Sequence, residues 1–176
     1  MAMTLITTNI SSGAASSSFT SDIDNTYKLY IFKFYDVNPV TDNVTFSVQF
    51  NRTGESGYNE TITAGYMRAI HPESDSEQYI SGGSYGQGQG TAFQPLAIAM
   101  GNDADQSGGG ELHLFNPSNT VYTKHFYSRF SSNHYHDYSA DQFVGGYINT
   151  APAIVAVQFK MASGNMDAVI KMYGVK

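Results

Sequence analysis

The sequence predicts an all-β fold, a single-domain antiparallel β-sandwich of jelly-roll type. Three observations carry that expectation. The dominant hydrophobic period is two, the signature of half-buried strands. Turn chemistry recurs at short intervals, in "VNPVTDN", "RTGESG", "HPESDSE", "GNDADQSGGG" and "FNPSN". No window sustains a 3.6-residue period with caps at both ends. The 176 residues suit one domain with a sizeable core, and irregular loop lengths favour the jelly roll among sandwiches and barrels.

In chain order, residues 1–20 read as an extended polar arm, with Thr4, Leu5, Ile6 and Thr7 as its strand. Such an arm can add a strand to an exposed sheet edge. The sandwich domain is expected to occupy 21–176. "YKLYIFKFYDV" is apolar on both faces, with Tyr27, Leu29, Ile31 and Tyr35 on one and Tyr30, Phe32 and Phe34 on the other. A strand covered on both sides fits a subunit contact, and equally a central strand overlaid by the chain's own loops. "VYTKHFYSRF" behaves alike, which adds Tyr122 and Phe126 to Leu5, Ile6, Tyr30, Phe32 and Phe34 as expected oligomer or capsid contacts.

Val44, Phe46, Val48 and Phe50 alternate with Thr45, Ser47, Gln49 and Asn51 in a half-buried strand. Ala153, Val155, Val157, Phe159 and Met161 repeat the pattern, as do Met166, Ala168, Ile170 and Met172, and "SGN" between them predicts a C-terminal hairpin. Pro39, Pro72, Pro95, Pro117 and Pro152 sit at the edges of these runs, where strands tolerate them. Roughly nine to eleven short strands result, with no internal repeat and no linker. "SGGSYGQGQG" is low in complexity and reads as an exposed loop.

Charged residues make up only 14% of the chain, and Gly, Ser, Thr, Asn and Tyr take their place. A neutral polar surface suits contact with proteins or sugars. The net charge is −6 and the nine Lys and Arg are scattered singly, so no basic patch exists for nucleic acid. With no cysteine, disulfides and thiolate metal sites are excluded. The first twenty residues lack the basic and apolar regions of a signal peptide, and the longest apolar run, around "APAIVAV", is too short to insert into a bilayer.

Four stretches hold chemistry-bearing side chains. In "SSNHYHDYSAD", His134 and His136 are two apart, so on a strand they share a side and could share a metal. No zinc spacing accompanies them, and a polar display loop explains them as well. Asp103, Asp105, Ser107 and Gly108 match the start of a calcium loop, but the twelfth position is Leu114 where a bidentate Glu is required. Asp103, Asp105, His134 and His136 are therefore the residues a metal would use, while the expectation is no metal and no cofactor. Glu73, Asp75 and Glu77 crowd one turn beside His71 and look like solvated charge rather than a glycosidase pair. "GQGQG" lacks both the spacing and the helix of a phosphate loop, and no G-x-S-x-G elbow occurs. The aromatic loops could bind sugar by stacking, with Tyr85, Tyr135, Tyr138 and Tyr147 as platforms.

Several longer runs resemble a family of small virion structural proteins of tailed phages, especially marine cyanobacterial phages. They are "FTSDIDNTYKLYIFKFYDVNPVTDNV", "GYNETIT", "RAIHPESDS", "GELHLFNPSNTVYTKHFYS" and "VAVQFKMASGNMDAVIKMYGVK". The resemblance covers most of the chain in order and holds no catalytic signature. It implies a non-enzymatic building block of the particle, assembled in the host bacterial cytoplasm and located in the virion. A compact β domain fits a capsid decoration or cement protein, a homotrimer contacting the major capsid protein. The other implied role is a fibre or knob module that binds a cell-surface glycan.

Overall fold

The computed structural model describes residues 2–176. It is all-β, with thirteen strands and no helix among the described residues. These are β1 (Met3–Ala14), β2 (Ser17–Phe19), β3 (Leu29–Pro39), β4 (Val44–Arg52), β5 (Ile62–Pro72), β6 (Tyr79–Gly82) and β7 (Gln87–Gly90). They continue with β8 (Gln94–Met100), β9 (Gly108–Phe115), β10 (Lys124–His134), β11 (Tyr138–Ile148), β12 (Ile154–Met161) and β13 (Met166–Val175).

Eight of these make a jelly roll. One sheet runs β1-β13-β3-β9 and the other β2-β12-β4-β8. Counted along the chain, the first sheet holds the first, eighth, third and sixth of the eight strands, and the second holds the second, seventh, fourth and fifth. That alternation between two layers is the double Greek key of the fold. The remaining strands come from two insertions. β5, β6 and β7 lie between β4 and β8 in the chain, and β10 and β11 lie between β9 and β12. In space the insertions find each other: β10 pairs with β9, β11 with β10, β5 with β11, and β6 and β7 with the far edge of β5. The first sheet is thereby widened well beyond β9.

Phenylalanines hold the layers together. Phe34 meets Phe46 at 5.4 Å and Phe159 at 5.1 Å, Phe130 meets Phe46 at 5.5 Å, and Phe126 meets Phe50 at 5.3 Å. Edge-on and tilted pairs at such distances are favourable beyond their area burial. Each pair joins the widened sheet to the smaller one, so β10 belongs to the core roof as much as to the insertion. Gly108 is required there, since a Cβ would lie 2.3 Å from the Phe130 ring.

Four expected contacts change meaning. Tyr30 and Phe32 are 0% exposed and Phe34 and Phe126 2% exposed, all inside the protomer's own core. The second sheet covers the face that the sequence assigned to another subunit. Ile6 is half-buried against the same core, while Leu5 and Tyr122 are exposed. The first twenty residues are extended but integral: β1 pairs with β13 along its length and β2 pairs with β12. Asn9 ties the two edges, its Nδ2 donating to the Ser18 carbonyl at 2.9 Å.

The C-terminal hairpin does not form. β12 pairs with β2 and β4, and β13 with β1 and β3, so the intervening turn crosses from one layer to the other. Val40 N bonds to Asn165 O at 2.9 Å and Ala162 N to Thr45 O at 2.8 Å, holding that turn against the β3–β4 connection. A bulge between Ile154 and Ala156 also moves Ile154 onto the core face. "SGGSYGQGQG" is ordered over parts of its length as β6 and β7, because β5 offers it an edge.

Candidate functional site

The outward face of the widened sheet is set by strand alternation. β10 buries Phe126, Ser128, Phe130 and Ser132 and turns Tyr127, Arg129, Ser131 and Asn133 outward. The register then defines rows across the strands. One row runs Leu5, Tyr173, Ile31, His113, Tyr127, Gly145, Gly65. The next runs Lys33, Glu111, Arg129, Phe143, Met67. A third runs Gly109, Ser131, Asp141, Ala69.

These rows enclose a trough along β9, β10 and β11. At one end, the Tyr127 ring stacks on His113 with centroids 4.5 Å apart and planes 17° from parallel, and Tyr127 Oη bonds to His113 Nδ1 at 3.1 Å. Beyond Tyr127 the row continues with two glycines, and the Cβ positions of Gly145 and Gly65 face open space. A hollow of about 650 Å³ results, bounded by Tyr127, Phe143 and Met67. The middle is charged. Arg129 grips Asp141, with Nη2 to Oδ2 at 2.7 Å and Nε to both oxygens at 3.2 Å. Glu111 lies 2.9 Å from His113 Nε2 and 3.5 Å from Lys33 Nζ. Burial opposes ionisation of Glu111, but the His113 hydrogen bond and charge and the Lys33 charge outweigh it, so its carboxyl titrates below the ordinary range.

A shallow hollow of about 360 Å³ over Gly109 and Ser131 leads to the far end. There a hollow of about 980 Å³ is floored by Gly108, Gly109 and Ser131 and walled by Tyr35, Asp36, His71, Glu73 and Asp75. Lys171 Nζ lies 5.3 Å over the Tyr35 ring, and His71 Nε2 meets Asp75 Oδ1 at 3.0 Å. Asp36 and Asp75 take positive φ, which Asp tolerates better than most residues. Both insertions contribute walls, so the trough belongs to this elaborated jelly roll and not to its eight-strand frame.

The "NHYHDY" turn closes the β10–β11 hairpin beside this end. His134 is buried, and Tyr138 stacks on it at 5.0 Å with planes 15° apart, while Tyr135 stacks at 4.7 Å. His134 Nδ1 accepts from the His136 backbone N–H at 3.2 Å. Burial pushes the His134 imidazole down to about 4. The turn is a packed stack rather than an open ligand cluster. Gln106 bridges it to the neighbouring loop, its Nε2 donating to Asp137 Oδ1 at 3.2 Å and its backbone N–H to Asp103 O at 2.9 Å. Among the described residues, no group of three or more His, Asp or Glu could hold a metal, so Asp103, Asp105, His134 and His136 are not brought together as ligands.

Of the expected sugar platforms, Tyr85 packs edge-on against Tyr66 at 5.4 Å, and Tyr135 and Tyr138 belong to the histidine stack. Tyr147 faces outward on β11 beside His125, ring centroids 6.0 Å apart. The aromatic side chains that line the trough are Tyr35, Tyr127 and Phe143. The available signal was "AGYM" and "VGGY", glycines inside strand patterns, which mark close approach by a ligand or another backbone.

Compared with known proteins, the chain matches no family model and no curated sequence.

Proposed function

We propose that the chain is a non-enzymatic structural subunit of a tailed-phage particle, a decoration or cement protein on the outer head surface that acts through protein–protein contacts. The observation that carries this is a set of exposed apolar side chains toward one end of the molecule. One end presents exposed Met3, Leu5, Phe115, Val121 and Tyr122, with Val121 and Tyr122 70% and 71% exposed. Isolated soluble domains seldom leave such residues grouped, and a neighbouring subunit or the major capsid protein would cover them. The opposite end carries the loops around His71, Asp103 and Tyr135, where Ile80 and Val40 are exposed as well. Assembly as a homotrimer would place the apolar ends together and the loops outward. The resemblance of the long sequence runs to phage virion proteins supplies the particle.

The trough favours a second role on the same particle, a head or tail knob that binds a cell-surface glycan. Both roles are tested by labelling purified particles with an antibody to the chain and locating it by electron microscopy. Label on the head supports decoration, label on tail tips supports the knob, and unlabelled particles overturn both. Light scattering of the purified protein tests the oligomer: a trimer is expected, and a monomer that Tyr122→Ser leaves unchanged removes the role given to the apolar end.

A further inference from the structure

The geometry points to the trough over β9, β10 and β11 as a binding site for an uncharged, linear oligosaccharide lying along β10. The inference rests on the second role above, that of a glycan-binding module. Four observations lead to it. First, length: from Tyr127 to Asn133 the strand covers roughly 20 Å at the usual rise, which accommodates several sugar rings in a line. Second, the Tyr127 face: His113 backs the ring at 4.5 Å, and the glycines next in its row leave space the thickness of a second ring. Pyranose rings present C–H faces that stack on such a surface, and the stacked aromatic is already immobilised before binding.

Third, the polar groups suit hydroxyls. Ser131, Asn133 and Ser139 line the far hollow with neutral donors and acceptors, and Glu73 and Asp36 can accept from vicinal hydroxyls. Fourth, charge selects against acidic ligands. Arg129 is engaged by Asp141, Lys33 by Glu111, and the far hollow is lined by three carboxylates with no Lys or Arg. A phosphate or uronate would meet repulsion there. An aromatic platform at one end and a hydroxyl-binding hollow at the other also give the site a direction, so the two ends of the chain of sugars would be read differently.

The test is a titration of the full chain, followed by amide NMR shifts, with cellotetraose, maltotetraose, mannotetraose and chitotetraose as neutral probes. A tetragalacturonate and a tetralysine peptide serve as charged probes. At least one neutral tetrasaccharide is expected to shift amides of β10 and β11 and to bind more tightly than its disaccharide. Tyr127→Ala removes the platform and Gly145→Phe fills the space beside it; each is expected to weaken binding roughly tenfold or more. If Gly145→Phe fails to fold, Tyr127→Ala alone decides. No shift with any neutral probe, equal or tighter binding of the acidic or basic probe, or unchanged affinity in folded Tyr127→Ala overturns the inference. A chain absent from particles that still binds a neutral tetrasaccharide would remove the particle assignment and leave this site standing.

Discussion

Tyr127 and His113 lie on adjacent strands as a stacked pair, 4.5 Å between centroids, joined also by a hydrogen bond between the phenol oxygen and the imidazole Nδ1. The pair stands on the outer face, and Tyr127 is 45% exposed. Its contribution to folding is therefore small beside its place in the trough. Tyr127→Ala is expected to lower stability by about 1 kcal/mol, the range of an aromatic pair. Urea denaturation checks this, and a loss several times larger would make Tyr127 a structural residue.

Gln142 is the polar joint between the insertion and the jelly roll. It is 0% exposed; its Oε1 accepts from Tyr66 Oη at 2.6 Å and from the Ile98 backbone N–H at 2.7 Å, and its Nε2 donates to Ser132 Oγ at 3.1 Å. Gln142→Leu strands all three partners without water. A loss of about 2–4 kcal/mol is expected, because each buried group left unpaired carries its full desolvation penalty. Tyr66→Phe, which removes one partner only, is expected to lose about 1 kcal/mol.

Lys124 is 1% exposed, and its ammonium donates to the carbonyls of Thr150, Ala151 and Pro152. It organises the loop between β11 and β12. Lys124→Met keeps the stem but leaves those carbonyls without their donor, and about 2–4 kcal/mol of stability is expected to go. Hydrogen exchange is expected to speed first at residues 149–153. Uniform acceleration over the chain would deny the lysine that local role.

His134 gives the protein an acid-sensitive turn. Its imidazole is held down to about 4 by burial, against an ordinary value of 6.5. Above 6.5 both folded and unfolded chains carry it neutral, and it adds no pH dependence. As pH falls from 6.5 to 4 the unfolded chain takes up a proton that the folded one refuses, so stability falls. Below 4 both are protonated and the loss levels off, at a total on the order of 3 kcal/mol. Denaturation midpoints at pH 7 and pH 4.5 should separate for the native chain and draw together in His134→Asn. An equal separation in both would place the acid sensitivity elsewhere.

Deleting residues 2–14 is expected to destabilise the domain rather than merely release an arm. β1 covers the edge of β13 from Met3 to Ala14, and Ile6 packs on the core. A fall in melting temperature of about 10 °C or more is expected. An unchanged melt would mean that β1 is dispensable to the fold.

The strands were legible because alternation is a local property. Val44 to Phe50 shows its apolar face in the order of its residues, and the structure buries Val44, Phe46, Val48 and Phe50; it also buries Ser47 and Gln49, which the alternation had placed on a wet face. The pairing of strands was not legible. "SGN" looks like a hairpin turn, yet the strands either side of it bond to four others, because a jelly roll alternates consecutive strands between layers. Likewise Phe34 and Tyr35 both read as apolar cover for a strand, and only the second sheet decided that Phe34 is core and Tyr35 a trough wall.

By itself the sequence determined the all-β class, the jelly-roll type, the positions of most strands and the exclusion of disulfides and thiolate metal sites. Each follows from the kind and local order of residues. Tertiary structure decided that two distant insertions, β5–β7 and β10–β11, would meet and widen one sheet. It decided too that "NHYHDY" would stack on itself, and that Tyr127 would face two glycines brought from β11 and β5. Those contacts join residues up to 86 positions apart and arise from hydrogen-bonding edges that any neighbouring strand could satisfy, so only the assembled register selects them.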